Sequence, residues 1–201
     1  MEFLSAASLA TAAGLNAYVP LLVMGLLARF TNWVVLPAGW TWLSTPWVLG
    51  LLAVLLLVEV VADKVPAVDS LNDVVQTVVR PASGGIVFAS GLGAQTVTVA
   101  DPTSFFSDST RWVPVVLGVA IALGVHLLKA QTRPVANATT AGFAAPLLST
   151  VEDIASLGLS LLALLLPVLA LVAALLVVGG IWWLVRGVRR GLRSLRPASP
   201  E

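Results

Sequence analysis

The chain has no cysteine and a single histidine, His126. A disulfide framework, a thiolate nucleophile and a Cys-ligated metal are therefore excluded, as is any site that needs two or three imidazoles. Charge is almost as scarce. Asp, Glu, Lys and Arg together make up 10% of the residues, whereas a soluble globular domain carries charge on about a quarter of them. No Gly-rich Walker loop, Gly-x-Ser-x-Gly elbow or His-Glu-x-x-His helix occurs, so the common signatures of nucleotide, acyl and zinc-dependent peptide chemistry are missing.

What the chain has instead is apolar length. Of its 201 residues 58% are hydrophobic, and the mean hydropathy is +0.98. The charges fall at the edges of uncharged stretches long enough to cross a bilayer, which points to an all-α, polytopic membrane protein and excludes a cytosolic enzyme. Phe3 to Ala28 reads as a first span, retained because it lacks the basic leader of a cleaved signal. Gly14, Asn16 and Pro20 interrupt it, and a kink or unwound segment is expected there. Thr31 to Trp47, with Trp33, Trp40, Trp42 and Trp47, suits the headgroup region.

Trp47 to Ala62 is the second span. Val65 to Arg80 places Asp69, Asn72, Asp73 and Gln76 on one side and valines opposite, the pattern of an amphipathic interfacial helix, which Arg80-Pro81 is expected to end. Gly84 to Ala100, rich in small residues, reads as an interior third span. Asp101 to Arg111 is a polar loop, and Trp112 to Leu128 is the fourth span. Ala141 to Val185 is about 66 Å of helix at 1.5 Å per residue, near two bilayer cores of about 30 Å, so it makes either two spans turning near Gly158 to Pro167 or one long helix.

Charge bias decides the count. Five of the eleven basic residues, Arg186, Arg189, Arg190, Arg193 and Arg196, lie in the last sixteen positions, and such a tail belongs in the cytoplasm. Six spans put nine basic residues inside and only Arg29 and Arg111 outside. The expectation is thus one membrane domain over 1–185 and a basic cytoplasmic tail over 186–201, with both termini cytoplasmic in the cell's inner membrane. Trp47 to Lys64 also aligns without gaps on Trp112 to Lys129, each followed by an Arg-Pro, the mark of an internal two-helix repeat of the kind found in transporters.

Few residues carry chemistry. Glu59 and Asp63, at i and i+4, present two carboxylates on one helix face with Lys64 beside them. Carboxylates near a membrane interior face a partner or a water-filled cavity, so this is a candidate cation or proton site, the alternative being an ion-pair tether at the helix end. Glu152 and Asp153 lie about 20 Å along a helix starting near Thr139 and need protonation, a cation or a basic partner; alternatively they start a helix at a wet surface. Gly14-Leu-Asn-Ala-Tyr-Val-Pro20 and Gly142-Phe-Ala-Ala-Pro146 are matching Gly-to-Pro breaks, with Asn16 and Tyr18 the polar groups of the first. His126 reads as a helix-end residue rather than a ligand. Asp69 and Asp73 are a weak magnesium pair, because the motifs of membrane lipid transferases are absent. The arginine tail suits anionic lipid and not nucleic acid.

Taken together, Gly14-Leu-Asn-Ala-Tyr-Val-Pro20, Glu59-Val-Val-Ala-Asp-Lys-Val-Pro66 with Asp69, Asp73 and Arg80-Pro81, and Ser149-Thr-Val-Glu-Asp153 resemble a bacterial multi-pass membrane family known only as a domain of unknown function. The resemblance spans nearly the whole chain and implies an inner-membrane helical protein, with Glu59, Asp63, Lys64, Asp69, Asp73, Glu152 and Asp153 as pattern positions; it implies no activity. The Glu59-to-Lys64 element is also similar to the Glu-x-Gly-Asp-Lys of cation exchangers, one residue longer and without the Gly. The functional expectation is a small transporter or channel for a cation or proton-coupled solute, using Glu59, Asp63, Lys64, Glu152, Asp153 and Asn16 and no resident cofactor. A metal-dependent lipid-modifying enzyme using Asp69 and Asp73, and a non-catalytic scaffold, are the alternatives. The expected partners are membrane lipid and a small ion or solute.

Overall fold

The computed structural model describes residues 1–97, 112–140 and 144–194. The expected loop Asp101 to Arg111, Gly142 of the second Gly-to-Pro break and Arg196 lie outside these, as do the side chains of Asp69, Arg133, Arg189, Arg190 and Arg193. The described chain is overwhelmingly helical: α1 (Glu2–Leu15), α2 (Val19–Phe30), α3 (Pro46–Ala62), α4 (Pro66–Leu92), α5 (Trp112–Thr139), α6 (Ala144–Leu165) and α7 (Pro167–Ser194). The Trp-rich segment between α2 and α3 contains a strand, β1 (Val34–Val35), and a 3-10 helix (Ala38–Ser44). β1 pairs antiparallel with β2 (Gln95–Thr96), just beyond α4, with Val34 opposite Thr96.

Trp112–Thr132, Pro146–Leu165 and Pro167–Gly187 are long and apolar enough to cross a membrane, and the 3-10 helix with α3, bent by 60°, makes a fourth candidate. The outer surface has the pattern lipid requires. Val54, Leu57, Leu71, Val74, Val78, Leu176 and Trp183 are exposed while Glu59, Asp63, Arg80 and Lys129 are buried, the reverse of a water-soluble protein. The chain is a helical membrane protein.

The centre of the bundle is α1, which contacts α2, α4, α5, α6 and α7. Its side chains there are small: Ser5, Ala6, Ser8, Ala10, Thr11, Ala12, Ala13 and Gly14 are all buried, and such residues let helix backbones approach closely. A Cβ added at Gly14 would lie 2.6 Å from Val125 Cβ and 2.7 Å from the Ala122 carbonyl. Gly84 on α4 and Gly118 on α5 meet so closely that a Cβ on either would strike the facing backbone.

Three expectations change. Phe3 to Ala28 does not form one broken crossing, because α1 and α2 double back. Ala6 and Leu9 on α1 and Met24 on α2 all lie beside Gly91 near the end of α4, and Ser90 Oγ donates to Met24 Sδ. The intervening Leu15 carbonyl lies instead at Lys129, near the far end of α5's apolar stretch. The two short helices thus make a V with its apex at Asn16 to Tyr18. Secondly, Arg80-Pro81 does not end a helix. α4 runs unbroken through Pro81, since Arg80 is held by Glu59 of α3 and Gly84 is wedged on α5, so both flanks of the proline are clamped by neighbours. The separate interfacial helix is the first half of α4, with Gln76 and Arg80 buried and Leu71, Val74 and Val78 exposed. Thirdly, the helical part of the third span stops at Leu92, where β2 takes over.

At the other end of the chain, α6 and α7 meet at Leu166, and Ala155 and Leu159 share a cluster with Ala173, Ala174, Val177 and Ile181. That pairing is the packing of two antiparallel helices rather than one long one. Thr139 is the last residue of α5, and the described part of α6 begins at Ala144, about 12 Å before Glu152 at 1.5 Å per residue.

Candidate functional site

The break between α1 and α2 builds the site. Pro20 lacks an amide hydrogen and fits only the first turn of α2. Asn16 is extended, with φ −141° and ψ 126°, and its Oδ1 accepts from the amides of Tyr18 at 3.0 Å and Val19 at 3.1 Å, which have no carbonyl partner at a helix start. The other end of the same amide is thereby free to point outward. Asn16 Nδ2 donates to Asp153 Oδ1 at 2.9 Å, joining the apex of the V to α6.

Around that apex the charged residues of four helices converge. Arg80 Nη2 on α4 donates to Glu59 Oε1 on α3 at 2.9 Å and lies 3.6 Å from Asp63. Lys129 on α5 donates to the Leu15 carbonyl at 2.9 Å and pairs with Glu152 Oε2 at 2.7 Å, with Asp63 at 3.9 Å. Lys64 lies 3.9 Å from Asp153. Asn72 Nδ2 donates to Asp63 Oδ1 at 2.6 Å. His126 is bracketed by Thr77 Oγ1 at 3.0 Å and Arg80 Nη1 at 3.3 Å.

The geometry unites Glu59, Asp63, Lys64, Glu152, Asp153 and Asn16, residues scattered over 138 positions of sequence. Asp73 lies close enough for Lys129 and Arg80 to act on its charge. Among the described residues no three His, Asp or Glu side chains converge on a point that would hold a metal ion; the side chain of Asp69 is outside them. Lys64 and Lys129, the residues that end the aligned segments, reach the neighbouring acids Asp153 and Glu152.

Sequence reasoning underrated Arg80, Lys129 and His126. Arg80 and Lys129 were positions for charge bias, yet they are among the largest fully buried side chains. The available signal was unused acid: two carboxylate pairs in apolar surroundings demand buried cations, and few were within reach.

Among the described side chains the cluster gathers the carboxylates of Glu59, Asp63, Asp73, Glu152 and Asp153 and the cations of Lys64, Arg80 and Lys129. Two buried acceptors, Glu59 Oε2 and Gln76 Oε1, have no hydrogen-bond donor among the described residues. Tyr18 at the apex is close enough to feel the charges of Glu59 and Arg80. Such an arrangement can hold a proton or a small cation, and its ion pairs can exchange partners.

A helical membrane protein with a buried cluster of charged residues at a broken helix is thus the class that fold and site define. A family model described as "Domain of unknown function (DUF4126)" matches residues 3–187, and the chain belongs to that family. No curated protein and no solved structure matches it.

Proposed function

We propose that this protein is a small transporter for a cation or a proton-coupled small solute, with the cluster around Asn16 as its site. The observation that carries the reading is Glu59 Oε2, a buried carboxylate oxygen in the cluster at the α1–α2 break that no donor among the described residues reaches. A buried carboxylate oxygen left without a donor is costly, so a proton or a small bound cation there stabilises the cluster. Broken helices that bring backbone and polar groups to such a point are a recurrent device for ion and substrate binding in transporters. Glu59, with one oxygen on Arg80 and the other without a hydrogen-bond donor among the described residues, is the coupling acid. Asp63 and Lys129 link it to Glu152, and Asn16 carries any movement of the apex to Asp153.

The membrane arrangement that fits best is an inner-membrane protein in which α3, α4, α5, α6 and α7 cross and α1–α2 enters as a hairpin from the outer side. The β1–β2 pairing holds the connections after α2 and after α4 at one end, and the cluster gathers the C-terminal part of α3, the N-terminal part of α4 and the N-terminal part of α6 toward the other. Lys64, Arg80, Lys129, Arg133 and the arginine tail then lie toward the cytoplasm, and Arg29 and Arg111 outside. The basic tally is the same as for six spans, and only the N-terminus changes side.

Purified protein in liposomes, loaded with pH- and cation-sensitive dyes and given proton, sodium and potassium gradients in turn, tests the function. Flux is expected, and Glu59→Gln and Glu152→Gln should abolish it. No flux under any of these gradients sinks the proposal. Magnesium-dependent lipid turnover that disappears in Asp69→Asn and Asp73→Asn would replace it with the enzyme alternative.

A further inference from the structure

Arg80 is fully buried, yet only part of its guanidinium is used. Nη2 donates to Glu59 Oε1 at 2.9 Å and Nη1 lies 3.3 Å from His126 Nδ1, while Nε has no acceptor among the described residues. The second oxygen of the same carboxylate, Glu59 Oε2, has no donor there, and neither has Gln76 Oε1, one turn before Arg80 on α4. Glu59 and Gln76 are each 2% exposed and Arg80 0%. A buried polar atom without a partner is costly, so three of them around one ion pair point to a group that completes their bonds.

The neighbouring imidazole is already committed. Thr77 Oγ1 donates to the Asp73 carbonyl at 2.8 Å, so its own hydrogen is spent and it accepts from His126 Nε2 at 3.0 Å. That places the imidazole hydrogen on Nε2 and leaves the Nδ1 lone pair to accept from Arg80. His126 is neutral, with both nitrogens engaged.

One donor and two acceptors are the complement of a single water, which accepts one bond and donates two; buried waters make about three bonds of this kind. A metal ion fits badly. The two open protein oxygens are far short of the six or more that a calcium ion takes, and the positive guanidinium would face the ion. The charged groups that act on Glu59 are Arg80 of α4, Lys129 of α5 and Asp63 of its own helix.

We propose that Arg80 Nε, Glu59 Oε2 and Gln76 Oε1 hold one water, and that the ion carried by the transporter proposed above is the proton, taken up by Glu59 from that water. The transport step rests on that reading; the proton site does not. A proton arriving on the water makes a hydronium, which passes it to Oε2 and remains as neutral water on the Nε hydrogen. Release reverses the step. Arg80 keeps Oε1 and His126 throughout, so the guanidinium stays in place while the charge of the carboxylate changes.

The test uses full-length protein in liposomes under a pH gradient, with N-methylglucamine as the only other cation. Proton flux is expected to persist without sodium or potassium and to vanish in Glu59→Gln. Arg80→Lys keeps the positive charge but lacks the Nε donor, and proton flux should fall at least about tenfold, the loss of one charge-assisted hydrogen bond. Infrared difference spectra between high and low pH give a readout that needs no flux. The carbonyl band of a protonated carboxylic acid should appear on acidification and be missing in Glu59→Gln, and a water band that shifts in heavy-oxygen water should be lost in Gln76→Leu. The Glu59 band without flux of any ion would support the proton site and remove the transport reading. Sodium or potassium flux that depends on Glu59 and moves no protons would keep the transport reading and overturn the proposal. A carboxylic acid band unchanged in Glu59→Gln, or a water band unchanged in Gln76→Leu, would also overturn it.

Discussion

Arg80 and Glu59 form the most deeply buried ion pair among the described residues, with side-chain exposures of 0% and 1%. A pair so placed is costly to break, because the surviving partner becomes an uncompensated buried charge. Arg80→Met is expected to lower unfolding stability by about 3–5 kcal/mol, and Arg80→Met combined with Glu59→Leu to regain much of that loss. Thermal unfolding in detergent checks both, and equal losses in the single and double variants would show that the pair is not the relevant interaction. Asn16 predicts a different effect. Asn16→Ala deprives the Tyr18 and Val19 amides of their acceptor and releases Asp153, with an expected loss of about 1–3 kcal/mol for the unsatisfied donors. Asn16→Asp preserves the acceptor but sets a carboxylate against Asp153, so it should unfold more readily at high pH than at low pH, where either acid can be protonated. A flat pH response would remove Asp153 as its neighbour.

Among the helices, the packing of α4 on α5 is the most specific feature. Gly84, Gly85 and Gly118 are not hinges; they are the points where two backbones touch. Gly84→Val places its Cβ against Ala122 and the Gly118 carbonyl, and backbone on the far side cannot rotate away as a side chain would. The expected destabilisation is at least about 1–3 kcal/mol, the usual cost of overpacking. Gly50→Val on α3, where an added Cβ meets nothing within 4 Å, is expected to be neutral within about 0.5 kcal/mol. Similar losses at both positions would refute close α4–α5 packing.

The arrangement of the hairpin and crossing helices makes a prediction about sides. Because the chain has no cysteine, single cysteines report directly. Thr41→Cys and an epitope tag ahead of Met1 are expected to react with membrane-impermeant reagents in intact cells, and Thr140→Cys only after permeabilisation. A tag protected while Thr41→Cys reacts would return Phe3 to Ala28 to a single crossing and remove the V from the fold. Labelling of Thr140→Cys from outside would instead displace the cluster from the cytoplasmic side.

Membrane residence, helical class and the break between Gly14 and Pro20 are legible in the residues themselves, because each depends on local chemistry: apolar run length, the missing proline amide and the Asn16 side chain that can accept from the amides of a helix start. So are the acids of the site, since Glu59, Asp63, Glu152 and Asp153 interrupt stretches where charge is otherwise absent. Local chemistry does not say where a chain goes after a break. A kinked crossing and a hairpin share one sequence signature, and the choice falls to the Gly91 surface of α4, against which both Leu9 and Met24 pack. The same holds for Pro81, a helix end by propensity and a helix interior once Arg80 and Gly84 are held by neighbouring helices. Which cation answers which acid is likewise a matter of assembly: Glu59 and Arg80 are twenty-one residues apart, and Lys129 meets a carbonyl 114 residues away. Desolvation makes buried charges seek partners, but only the packed helices determine which partners are within reach.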